Sequence, residues 1–312
     1  MINSKRSSVA SKITIGTAPD SWGVWFPSDP EQLPASTFLR EVAEAGYEAI
    51  ELGPYGYLPT DPTELAEALA AHRLSVLAGT VFSRLHQPGS WEHTWAQVTD
   101  VAALTSAMGG KHIVVIPSMY RDEKTGADLE SPTLTGEQWD LLTSQTDELG
   151  RRILDEYGLA VQFHPHAESH VGYQADIERF LESTDPGCVN LCLDTGHVAY
   201  YGGDSVELIT RYPDRIGYVH LKQVDPAVMA VVREQNVVWP EAVRMGAMTE
   251  PPRGVPDMPP VLEALAGLGR DISGIIEHDL YPCAPDVPLP IAKRTRTYLS
   301  SCSGADIQMG SR

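Results

Sequence analysis

The chain has 312 residues, with 42 Asp and Glu against 23 Lys and Arg, a formal charge of −19 and a pI near 4.8. Nucleic acids are gripped mainly by Lys and Arg displacing counterions from phosphates, so this balance argues against such a partner. With 42% hydrophobic residues the chain can bury a large core, and its length suits either two domains or a single α/β barrel.

The first twelve residues, MINSKRSSVASK, are polar and lack the apolar stretch of a signal peptide, so residues 1–12 read as a flexible tail. Beyond them, eight β-rich runs alternate with amphipathic helical segments. The runs are ITIGTA from Ile13, YEAIELG from Tyr47, LSVLAGTV from Leu74, HIVVIPS from His112, LAVQFHPH from Leu159, VNLCLDTGH from Val189, IGYVHLK from Ile216 and SGIIEHD from Ser273. Between the early runs, PASTFLREVAEAG carries Phe38, Val42 and Ala45 on one helical stripe. DPTELAEALAAHR opens with Asp61 as a cap and Pro62 at the first helical position. Eight βα units predict a single (β/α)₈ TIM barrel over residues 13–300. Two long βα loops are expected on its catalytic face: RDEKTGADLESPTLTG after strand four, and an irregular, proline-rich stretch from about Val224 to Pro260 after strand seven. Residues 301–312 read as a second flexible tail.

Four cysteines, Cys188, Cys192, Cys283 and Cys302, form no CxxC pair and have no scaffold density, and no run reaches the ~18 apolar residues of a membrane span. A cytoplasmic protein with reduced thiols, without a membrane or nucleic-acid partner and compatible with a homo-oligomer, is the expectation.

Strand alternation selects the candidate site. Val189, Leu191 and Leu193 share the outward phase, leaving Asn190, Cys192 and Asp194 inward. Val161 and Phe163 face the helices, leaving Gln162, His164 and His166 inward. His220 and Lys222 share one phase in the seventh run, as do Ile275, Glu277 and Asp279 in the eighth. The ends of four consecutive strands therefore collect His166 or His164, Asp194, His220 and Glu277. Two imidazoles and two carboxylates form a ligand set for a divalent metal, with Mn²⁺ or Co²⁺ favoured and Zn²⁺, Fe²⁺ or Mg²⁺ also fitting.

APDSWGVW from Ala18, HPH from His164, LDTGHVAYYGGD from Leu193, RIGYVHLKQVDP from Arg215 and IIEHD from Ile275 resemble the inosose dehydratase branch of the sugar phosphate isomerase/epimerase superfamily, the xylose-isomerase-like barrels. The resemblance runs from about Ile13 to Leu299. It implies a divalent metal held by one residue from each of strands five to eight, and Asp194, His220 and Glu277 transfer directly. The superfamily commonly has a glutamate on strand five; here His166 is the expected ligand, because its phase and depth match Asp194.

His197, three residues after Asp194, is the candidate acid/base or hydroxyl-binding group. Lys222 is placed to stabilise an enolate oxygen or bind a hydroxyl, and Glu51 is a second candidate for proton transfer. Trp22 is expected to line the pocket, with Trp25 beside it, and His164, Glu250 and Arg253 are expected to touch substrate. His72, His93, His112 and His278 read as structural or exposed; His86 and His170 lie on mouth-side loops with no role assigned.

A metal on the two oxygens of an α-hydroxy ketone acidifies the adjoining C–H, and the enediolate that follows either reprotonates or expels a β-hydroxyl. The resemblance favours the second course, dehydration of a cyclic keto-polyol. The alternatives are a keto-sugar isomerase or epimerase, a 3-keto-glycoside β-eliminase on the same metal, and a non-catalytic sugar-binding barrel.

Overall fold

The computed structural model describes residues 12–302 and 306–308. The N-terminal tail therefore falls, apart from Lys12, outside the described residues, as do 303–305 and 309–312 of the C-terminal segment.

Each of the eight β-rich runs contains a strand. They are β1 (Lys12–Thr17), β2 (Ala49–Glu51), β3 (Ser75–Ser83), β4 (His112–Pro117), β5 (Ala160–Phe163), β6 (Val189–Asp194), β7 (Ile216–Leu221) and, after a short hairpin of β8 (Gln223–Val224) with β9 (Met248–Thr249), β10 (Ile272–Ile276). Every neighbouring pair from β1 to β7 is parallel, and β10 pairs with both β7 and β1, so the sheet closes into an eight-stranded barrel. The backbone of β11 (Asp306–Gln308) pairs in parallel with β1 along Lys12–Thr14.

The two phases of each strand separate into two apolar layers. Val189, Leu191, Leu193 and Ile276 pack outward against the helices. Ala78, Val114, Cys192, Tyr218 and Ile275 fill the barrel interior. The helix Pro62–His72 starts where its cap predicts, with Asp61 accepting from the Thr63 and Glu64 N–H groups.

The stretch after the seventh strand differs from the irregular loop expected. It holds two helices, Pro226–Gln235 and Trp239–Arg244, before β9 returns antiparallel to β8. The signals were local: Asp225 caps the first helix, accepting from Ala227 and Val228 N–H, and Pro226 occupies its first position. Met229, Val232, Trp239, Val243 and Met248 form a small core of their own with Ala167, Ala199 and Tyr200, which seats this strap on the barrel mouth. Only the proline-rich part beyond Glu250 is irregular. The loop after β4 is irregular as expected, up to the Thr135 capping box that starts the helix Gly136–Tyr157.

Candidate active site

The C-terminal ends of β5, β6, β7 and β10 converge on four ligand-bearing side chains, His164, Asp194, His220 and Glu277, whose donor atoms all lie within 4.8 Å of one another. Register accounts for the convergence, since Asp194 is the Cα partner of His220 across β6 and β7, and the Glu277 N–H continues the ladder to the Leu221 carbonyl. His164 Nε2 lies 3.3 Å from Asp194 Oδ2 and 3.1 Å from His220 Nδ1, and His220 Nδ1 lies 2.8 Å from Glu277 Oε2. All four residues are buried.

The fifth-strand member of the cluster is His164, where the sequence reading had His166. Alternation holds only while the ladder lasts. His164 N–H still bonds the Val115 carbonyl, but by His166 the chain has entered a turn closed by Ser169 N–H on the His166 carbonyl, with Glu168 at φ 57°. His166 therefore leaves the cluster. Its Nδ1–H donates to the Ala167 carbonyl, which makes Nε2 the free acceptor, and its ring packs 3.9 Å from His197 and 5.1 Å from Trp239. Burial, then His164 and Lys222, lower its pKa to about 3, so the ring is neutral.

Asp194 ends its strand by capping the short helix Thr195–Tyr200. Its Oδ1 accepts from His197 N–H at 2.8 Å, which leaves Oδ2 for the cluster. The following Gly196 has a spatial reason, since a Cβ there would sit 2.5 Å from Lys222 Cγ. Lys222 is wholly buried, with its ammonium 2.6 Å from Glu277 Oε2, 2.7 Å from Asp279 Oδ2 and 3.1 Å from Asp194 Oδ2. Burial opposes that charge, but the three carboxylates outweigh it and raise the lysine pKa well above its usual value. In the same way burial tends to raise Asp194, and Lys222 holds it well below the ordinary carboxylate range.

His197 lies beside this group. Ala167 N–H donates to its Nδ1 at 3.2 Å, and the Lys222 ammonium faces its Nε2 at 3.4 Å. Burial, with His166, pushes the His197 pKa well down and keeps the ring neutral. Glu51 is engaged at both oxygens, accepting from Thr80 Oγ1 and facing His220 Nε2 at 3.2 Å. That arrangement orients His220 from a carboxylate that itself lines the cavity.

A cavity of about 520 Å³ opens above the cluster, with His164, Glu51, Lys222 and Glu277 at its floor and Trp25, Phe82 and Trp239 on its walls. Three residues expected to touch substrate do not line it. Trp22 is fully buried on the helix side, where its Nε1–H donates to Glu41 and its ring meets Phe38 edge-on, because the tight turn Pro19–Trp22 rotates it away. Glu250 is bound by Arg294, and Arg253 pairs with Glu250 from the exposed proline-rich segment. Two carboxyl groups without an assigned role do line it. Asp20, in the APDSW run, is hydrogen-bonded to Glu277, and burial with that neighbour raises its pKa well above the usual. Asp279 is raised to about 6, mainly by burial. Its inward phase was readable from the eighth strand, and Asp20 lies inside a quoted motif; neither residue type alone marked a role.

The chain is 31% identical over 297 residues to the inosose dehydratase of Geobacillus thermodenitrificans (strain NG80-2), covering 94% of this chain and 98% of that protein. The fold is similar to the probable 3-DHS dehydratase AsbF of Bacillus anthracis, with a TM-score of 0.67 at 13% identity over 92% of this chain and 99% of that one. It is also similar to the IOLI protein crystallised with a zinc atom, with a TM-score of 0.64 at 16% identity over 93% and 98% of the two chains. No helix among the described residues is long and apolar enough to cross a membrane. Residues 39–294 match the family model of xylose isomerase-like TIM barrels, and the chain belongs to that family.

Proposed function

We propose that this chain is a divalent-metal-dependent dehydratase acting on a cyclic keto-polyol of the inosose class. The observation that carries the reading is the convergence of His164, Asp194, His220 and Glu277 beneath a cavity of substrate size. The donor set fits a cation: two imidazole nitrogens 3.1 Å apart repel through their lone pairs unless a proton or a metal lies between them. His220 is further prepared for ligation, because with Nδ1 turned to the cluster its Nε2–H is held by a carboxylate, as ligand histidines commonly are. When bound, a divalent metal polarises the ketone and acidifies the neighbouring C–H.

The chain's own residues supply the remainder. Lys222, held as an ammonium among Glu277, Asp279 and Asp194, gives a proton to the departing hydroxyl; Asp279, a cavity-lining carboxyl raised to about 6, takes the proton from the carbon and returns it to Lys222 across their 2.7 Å contact. His197, a neutral ring lining the cavity, hydrogen-bonds a substrate hydroxyl, and His166 Nε2 accepts from one. Trp25, Phe82 and Trp239 cover the carbon face of the ring and limit water. The abundance of carboxylates at the floor suits a neutral polyol better than a phosphorylated sugar.

Incubation with scyllo-inosose and Mn²⁺ or Co²⁺ is expected to give the absorbance of an enone or dione, and EDTA is expected to abolish it. Deuterium uptake into a ketose without loss of water would instead identify an isomerase or epimerase and overturn the reading. Glu51→Gln is expected to weaken metal affinity about 10- to 100-fold through its hold on His220. Calorimetric titration of the metal-stripped protein measures it.

A further inference from the structure

A second group of ligating side chains lies on the mouth-side loops, outside the cavity lining. His86 follows β3, Glu130 belongs to the long loop after β4, and His170 follows β5; one donor atom from each lies within 4.8 Å of the other two. His86 Nε2 is 2.9 Å from Glu130 Oε2, and the rings of His86 and His170 stand 4.5 Å apart. Gln87 Nε2 also donates to Glu130 Oε2, at 3.3 Å.

The state of His170 points to a ligand. Its Nε2 lies 2.8 Å from the Ser131 carbonyl, and since a carbonyl only accepts, the ring proton is on Nε2. Nδ1 is then a bare lone pair. It is buried with no hydrogen-bond partner, in a residue only 7% exposed. Burial also lowers the pKa of the ring and keeps it neutral. One nitrogen tied to a backbone carbonyl and the other left free is how ligand histidines are usually held.

We infer that His86, Glu130 and His170 form a second divalent-metal site that ties together the loops after β3, β4 and β5. Two imidazoles and one carboxylate suit Zn²⁺, with water completing the shell. The site does not touch the cavity, but it lies beside residues that do. Tyr120 packs against His170, and the adjoining Arg121, which lines the cavity, bonds Glu168 at 2.7 Å. Glu168 in turn accepts from Trp239 N–H on the strap. Fixing the three loops fixes this rim.

The test is zinc stoichiometry of the full chain, metal-stripped, reloaded with Zn²⁺ and desalted, with far-UV circular dichroism as the check on folding. The inference expects His170→Gln to hold one zinc fewer than the unsubstituted protein, and Asp194→Asn/Glu277→Gln to keep the loop zinc. If the barrel-end cluster takes no zinc, the double variant matches the unsubstituted protein while His170→Gln still loses its ion, so the two sites fail separately. Equal zinc in His170→Gln and the unsubstituted protein, or no zinc in the double variant, overturns the inference. Should His170→Gln not fold, His86→Gln carries the same comparison.

Discussion

On the proposed function, Asp194→Asn and Glu277→Gln are expected to lose bound metal and dehydratase activity together while remaining folded. Each replaces an anionic oxygen ligand by a neutral amide of nearly the same shape in a cluster where the four donors lie within 4.8 Å. Four carboxyl groups, from Asp194, Glu277, Asp279 and Asp20, act on the Lys222 ammonium, so removing one negative charge lowers their mutual repulsion. Asp194→Asn also keeps the side-chain oxygen that caps the helix Thr195–Tyr200, so that helix survives. The measurements are metal content by elemental analysis, turnover of scyllo-inosose and a thermal melt. Full turnover in both variants would refute the assigned site.

Lys222→Met is expected to separate chemistry from metal binding. Lys222 is not among the four residues proposed to hold the metal, so the variant is expected to retain it, while loss of the proton donor lowers kcat by about 10²- to 10⁴-fold. Without metal the same substitution leaves Asp194, Glu277 and Asp279 without their buried cation, a loss on the order of 3–5 kcal/mol of stability. A divalent ion neutralises the same carboxylates, so adding it restores most of the lost melting temperature. Steady-state kinetics and paired melts with and without metal read both effects. A kcat unchanged by the substitution would remove Lys222 from the reaction.

How much of the site was readable depended on whether the backbone was still in register. Asp194, His220 and Glu277 were legible because each lies on a strand or its immediate continuation, where side chains alternate strictly between core and helix layer. The same rule picked out His164 and His166 together and then favoured His166, whereas the converging cluster holds His164. His164 is held in the ladder by the Val115 carbonyl and His166 is not, a difference made by a neighbouring strand rather than by local sequence. Trp22 failed for a related reason: a tight turn has no fixed phase, so the motif marked the segment without saying which way its indole faces.

Alone, the sequence determined the barrel, because eight alternating runs separated by capped, amphipathic segments satisfy local hydrogen bonding and burial in one way. It also determined the acidic balance that disfavours polyanions, and three of the four converging ligand-bearing residues. Tertiary structure decided the fourth, withdrew Glu250 from the cavity onto Arg294, engaged both oxygens of Glu51, and gathered Asp20, Asp279 and Lys222 into one buried group. These are contacts between segments tens to hundreds of residues apart. No local periodicity encodes them, because what sets each side chain's position is the packing of a partner that arrives only when the barrel closes.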